Sequence, residues 1–171
     1  MKYLNFYCLL VLFSLMGCEK GDALKSSVEA EEVPNGEMLP QGNHEYDSRI
    51  MDYYKAYQSV FLYIFDAKEF WWNVRDDLRW KYDPDKDTRT AGYEYQAADE
   101  DYVGQQLDLL HDIFLGFYPD AFMQKNLPRT ILLCGDLKQI KAGNGEPAET
   151  DKSDVDFLFT RYHLVVNRAN A

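Results

Sequence analysis

The stretch "DPDKDTRTAGYE", residues 83–94, spaces its carboxylates as a cation loop would. Asp83, Asp85 and Asp87 fall at positions one, three and five of a twelve-residue calcium loop, and Glu94 falls at position twelve. Three carboxylates and a bidentate glutamate suit a hard cation. Against this, position six requires a glycine for its sharp turn and is Thr88, position two is Pro84, and no flanking helix is evident. The competing reading is a solvated acidic loop. A second group is aromatic: Trp71 and Trp72 stand beside Phe70, with Trp80 and Tyr82 close behind. Exposed on one face, Trp71, Trp72 and Trp80 would stack on sugar rings. Buried, they would be core or a covered sheet face, the commoner use of aromatic side chains.

The three histidines do not combine into a zinc site. A zinc hydrolase most visibly shows H-E-x-x-H, two histidines one helical turn apart with a glutamate base between them. Here His44 lies in a polar stretch, His111 is followed by Asp112 with Leu115 in the second histidine's place, and His163 lies in an apolar run. No Ser/His/Asp pattern, phosphate-binding glycine loop or dinucleotide fingerprint is visible. Cys134 sits in "TILLCG" and reads as a buried structural thiol rather than a nucleophile.

The N-terminus carries a different signal. Lys2 is the one charge of the first seventeen residues, and a mostly apolar run follows from Tyr3 to Met16. A basic start and ~15 apolar residues make a secretory signal. A membrane span needs ~20, so the run is short for one. Leu15-Met16-Gly17-Cys18 resembles the bacterial lipobox, in which cleavage between Gly17 and Cys18 leaves Cys18 lipidated as the first residue; Met16 is a loose fit to its slot. The alternative is a plain signal peptide with a cysteine near its end. As a lipoprotein the mature chain is 18–171, anchored by acyl chains (palmitate among them), several of which hold where one would not. With Cys8 removed and Cys18 acylated, Cys134 is left alone and no intrachain disulfide forms.

Charge restricts the partners. Loss of Lys2 takes the formal net charge from −11 to −12. Such acidity argues against nucleic acid, which demands clustered Lys and Arg, and against electrostatic docking on anionic lipid. The expected location is the bacterial outer membrane, on its periplasmic or cell-surface side.

These groups need elements to hold them. Residues 18–45 lack hydrophobic periodicity and read as a flexible tether. Within it, Glu19, Lys20 and Asp22 loosely resemble the charged export signal of surface lipoproteins. Residues 46–171 are expected to form one small α+β domain, a short β-sheet packed by one long and one or two short helices. Residues 46–58 show helical spacing at Tyr46, Ile50, Tyr53, Tyr54 and Tyr57, with Asp47 or Ser48 as cap. "SVFLYIF" (59–65) reads as a buried strand. Residues 99–117 form the clearest helix, with Val103, Leu107, Leu110, Phe114 and Phe117 on one face. A short helix is expected at 120–127 and a strand at 129–135. A polar loop (136–154) follows, then two strands, "VDFLF" and "YHLVV", as a hairpin.

Taken together, the lipobox, "YYKAYQSVFLYIFDAKEFWWN" (53–73) and "LDLLHDIFLGFYPDAFMQKNLPRTILLCG" (107–135) resemble the N-terminal part of the zinc-binding metallopeptidase lipoproteins of Bacteroidetes. Those proteins often accompany outer-membrane glycan-import systems. The matching segments cover about half of the mature chain and include no catalytic residue. In that family the H-E-x-x-H helix lies downstream, and this sequence ends at "VVNRANA", about where the active-site half is expected to begin. A truncated gene product, a fragment and a relative that kept the scaffold but lost the chemistry all fit. The resemblance therefore implies no site residue here, zinc only if a downstream catalytic half exists, and no peptidase activity from these residues. The rival expectation is a non-catalytic cell-surface binding or accessory protein linked to glycan uptake, in an outer-membrane glycan-import complex.

Overall fold

A computed structural model describes residues 31–32, 38–160 and 163–170. The leader, the Gly17–Cys18 junction and most of the expected tether lie outside the described residues. Two short strands come first, β1 (Glu31–Glu32) and β2 (Met38–Leu39), then α1 (Glu45–Tyr57), β3 (Val60–Leu62) and α2 (Ala67–Val74). Three strands follow, β4 (Tyr82–Asp83), β5 (Thr88–Arg89) and β6 (Gly92–Ala97), and then α3 (Glu100–Ile113) and α4 (Asp120–Asn126). The chain closes with β7 (Thr130–Ile140), β8 (Gly143–Asn144), β9 (Lys152–Asp154), β10 (Phe157–Phe159) and β11 (His163–Val166). This is the expected small α+β domain.

The eleven-residue strand β7 organises the rest. Its first half, from Thr130, is buried at every position and pairs in parallel with β3 on one side and β11 on the other. A strand between two parallel neighbours is covered on both faces, hence the unbroken apolar run Ile131-Leu132-Leu133-Cys134. Its second half is mixed, with Leu137 and Ile140 buried and Asp136, Lys138 and Gln139 partly or fully exposed. That half pairs antiparallel with β6 and β9, as suits a sheet with one solvated face. β10 pairs antiparallel with β11 and forms the edge, which is the expected hairpin.

Two helices supply the cover. α3 buries Val103, Leu107 and Leu110 at i, i+4 and i+7, and the Asp99 side chain caps it by accepting from Asp101 N at 3.1 Å. The helix breaks at Phe114 (φ −140°), so Leu115 turns inward and Phe117 is left 72% exposed. Phe117 is thus not on the buried face expected for it. α1 buries Ile50, Met51 and Tyr54. His44 occupies its N-cap position instead of Asp47 or Ser48. Asp47 still serves the cap, reaching back from the third helical position to accept from His44 N at 2.7 Å.

Other expectations change. The packed region begins inside the stretch read as tether: Leu39 is fully buried. The Gln41 amide accepts from Tyr63 N at 2.8 Å and donates to Ile64 O at 2.6 Å, filling the backbone partners just past β3. The strand expected over 59–65 is only three residues, because the chain bends at Tyr63. The expected loop 136–154 holds the end of β7 together with β8 and β9. Both α2 and β6 form where no element was expected.

Candidate functional site

Trp71 and Trp72 are separated by the helix that carries them. Asp66 starts α2 by accepting from Glu69 N at 2.7 Å. At about 100° per residue, neighbours on a helix diverge. Phe70, Trp71 and Val74 turn into the core, while Trp72 stands 85% exposed. Trp71 is wedged edge-on against Phe70, at 4.8 Å between ring centroids, and Phe70 stacks on Tyr95 of β6 at 3.7 Å. Trp80 is half-buried. The three tryptophans therefore do not form one flat platform: one is core, one is solvent-facing and one lies at the rim between.

What joins them is the return of the chain from α2 to β6. The helix ends at Arg75, whose φ of 87° is a strained value for a residue with a Cβ. A 3-10 turn at Asp76–Leu78 follows, and Arg79 then bridges Tyr93 in parallel. This crossing is very close: a Cβ on Gly92 would lie 2.2 Å from Trp80 N and 2.7 Å from Leu78 O. Glycine is required there because the approaching atoms are backbone. The Arg79 guanidinium consequently lies over the Trp71 ring, 5.8 Å from its centroid, in cation–π geometry.

Three adjoining clefts result. The first, of about 540 Å³, is lined by Trp71, Trp72, Lys68, Arg75, Asp76 and Arg79. The second, of about 390 Å³, shares Trp71 and Arg79 and adds Trp80, Tyr93 and Tyr95. A third, of about 290 Å³, shares Glu94 and Tyr95 with the second and is bounded by Asp136, Lys138, Glu149 and Lys152. The floor is aromatic at one end and charged at the other. Lys152 donates to Glu94 at 2.9 Å and Glu149 at 3.1 Å, and these bonds raise its pKa. Lys138 is raised likewise by Asp136 at 3.3 Å.

The calcium candidates are not brought together. Asp83, Asp85 and Asp87 lie on the hairpin of β4 and β5, where Asp83 Oδ1 accepts from Asp85 N at 3.1 Å and Asp83 Oδ2 meets Lys86 Nζ at 2.7 Å. The Lys86 ammonium holds the Asp83 carboxyl below its ordinary range. Asp87 accepts from the Tyr82 hydroxyl at 2.7 Å, and Glu94 faces Lys152 on another sheet. The twelve-residue spacing is thus a turn followed by a separate strand. Among the described residues, no group of three His, Cys, Asp or Glu side chains is placed to hold a metal ion.

The remaining reactive side chains are dispersed. His44 Nε2 lies 2.7 Å from Glu100 Oε2, with its ring stacked on Tyr46. His111 is exposed on α3, and His163 Nδ1 lies 3.3 Å from Thr160 Oγ1 on β11. Cys134 is fully buried, and burial pushes its thiol pKa up, away from nucleophilic thiolate. No helix among the described residues is long and apolar enough to cross a membrane.

Sequence reasoning named the tryptophans and missed Arg79, Gly92, Tyr93 and Tyr95. A signal for the strand is present in "GYEYQA", where Tyr93 and Tyr95 alternate with polar residues at period two. No protein-family model matches the chain, and no curated protein and no solved structure matches it either.

Proposed function

We propose that this chain is a lipid-anchored outer-membrane lipoprotein, acylated at Cys18, that binds carbohydrate without hydrolysing it and serves glycan uptake. The observation that carries the reading is Trp72, 85% exposed at the mouth of a cleft whose wall is Trp71 under Arg79. An indole left in water presents a flat apolar face with polar groups around it. That combination suits a sugar, which has apolar C–H faces and a hydroxyl rim. Lys68, in the same cleft, supplies a donor for the hydroxyl rim. In this reading the scaffold that resembles the N-terminal part of the metallopeptidase lipoproteins works as a binding module.

The test is binding of oligosaccharides to the purified domain, followed by calorimetry and tryptophan fluorescence. Sugar is expected to shift the Trp72 emission and to protect it from acrylamide. Trp72→Ala is expected to abolish binding with an unchanged melting temperature, since the side chain supports no packing. If binding survives Trp72→Ala, the site is elsewhere. The anchor is tested separately by labelling with a palmitate analogue: label on the parent chain and none on Cys18→Ser. Peptide cleavage above buffer by these residues alone would defeat the non-catalytic reading.

A further inference from the structure

We infer that the ligand of these clefts is an acidic glycan, whose sugar carboxylate is held by Arg79 between the two aromatic clefts. This rests on the carbohydrate reading and narrows it to a chemical class. The observation is what remains when paired charges are set aside. Asp76 is taken by Lys81 Nζ at 3.0 Å. Arg75 is taken by Asp77 through two bonds, of 2.9 Å and 2.5 Å. Glu94 is taken by Lys152 at 2.9 Å. The charges in the first two clefts with no ion-pair partner among the described residues are Lys68 and Arg79, both cations.

The chain carries a formal net charge of −11, with 29 acidic against 18 basic residues, so its long-range field repels anions. An unpaired arginine held over an indole is a local exception to that field. Its position is built: the backbone bridge to Tyr93 and the close crossing at Gly92 fix the backbone at Arg79, and the Trp71 ring lies beneath the guanidinium. A planar guanidinium on an aromatic face leaves its N–H edge free to meet a carboxylate with two parallel bonds. Arg79 also belongs to both clefts, so a carboxylate on it places neighbouring sugar rings toward Trp72 on one side and toward Trp80 and Tyr93 on the other. Lys68 adds a second positive charge to the first cleft.

The experiment compares an oligogalacturonate with its carboxyl-reduced counterpart by calorimetry on the full chain. The expected result is at least about tenfold tighter binding of the uronate, the size of a charge-assisted hydrogen-bonded pair. The preference weakens with added salt. Arg79→Gln is expected to erase it, bringing affinity for the uronate down to that for the neutral sugar. Arg79→Lys keeps the charge without the fork and is expected to retain only part. Circular dichroism melts establish that both variants are folded. Equal affinity for the two sugars, or a preference that survives Arg79→Gln, overturns this inference and leaves the carbohydrate reading standing. Binding of neither sugar overturns both.

Discussion

The Tyr63 hydroxyl donates to Asp47 Oδ1 at 2.9 Å, sixteen positions away along the chain, and both side chains are buried. The other carboxylate oxygen accepts from His44 N at 2.7 Å. One carboxylate therefore ties the start of α1 to the end of β3. Gly42 lies tight against the pair, since a Cβ there would come 2.5 Å from the Tyr63 hydroxyl.

Tyr63→Phe should accordingly destabilise the domain. It removes one donor and leaves a buried carboxylate oxygen unpaired, a loss of about 1–3 kcal/mol. Denaturant titration should show a lower midpoint with an unchanged slope. A variant as stable as the parent would mean that Asp47 is rehydrated and the tie is dispensable.

The same cluster sets an alkaline limit. Burial first, with Asp47 and Glu100 adding to it, pushes the Tyr46 hydroxyl from its ordinary 10.0 up to about 12. Burial and the bond to Asp47 raise Tyr63 too. In the unfolded chain both ionise near pH 10. Above that pH the unfolded state holds fewer protons, so stability falls as pH rises. The contribution is complete below pH 10 and is lost as the pH climbs through the folded values. Tyrosinate absorbance should therefore rise in a late step coincident with unfolding, and a single unperturbed titration near 10 would refute it.

Gly92→Ala tests the crossing that builds the candidate site. Its Cβ would sit 2.2 Å from Trp80 N and 2.7 Å from the Arg79 carbonyl carbon, and backbone does not step aside as a side chain does. Overpacking of this kind costs about 1–3 kcal/mol. It should also displace Arg79 and Trp80, read as a changed tryptophan emission and lost sugar affinity. Gly104→Ala is the control: there the added Cβ meets Tyr46 Cδ1 at an ordinary 3.5 Å inside α3. Alanine should stabilise that helix by about 0.5–1 kcal/mol.

The contrast between α3 and β7 shows what the sequence made legible. α3 was readable because Val103, Leu107 and Leu110 repeat at helical spacing and Asp99 stands at the cap. β7 was expected to stop at Gly135, because the residues that follow, 136–154, read as a polar loop. In the fold that glycine lies mid-strand, where a Cβ would come 2.6 Å from Ala97 O, beside the irregular register at Gln96 and Ala97 of β6. The reason for the glycine is on another strand, out of reach of a local reading. α2 was missed because eight residues with adjacent tryptophans give too short a window for a period. The candidate site follows the same rule. Its tryptophans were visible as residue types, while Arg79 owes its role to a contact across the return from α2 to β6.

Arg89 supplies the last test, on the loop that walls the third cleft. Its side chain is 4% exposed and donates to the carbonyls of Lys141 at 3.0 Å, Asn144 at 2.5 Å and Gly145 at 3.0 Å. Its remaining amino group meets Asp151 Oδ2 at 2.8 Å. One guanidinium thus closes residues 141–151 onto β5. Arg89→Met removes every donor at once. The Asp151 side chain is 31% exposed and regains water, so the loss is smaller than for a fully buried pair, about 1–3 kcal/mol. Opening should be local: amide exchange rises across 141–151 while the first half of β7 stays protected. Because Glu149 and Lys152 border this loop, the Lys152–Glu94 bond should loosen with it. Arg89→Lys keeps the charge opposite Asp151 but cannot reach three carbonyls in one plane, so it should restore only part of the protection. Uniform loss across the domain would instead make Arg89 part of the global fold.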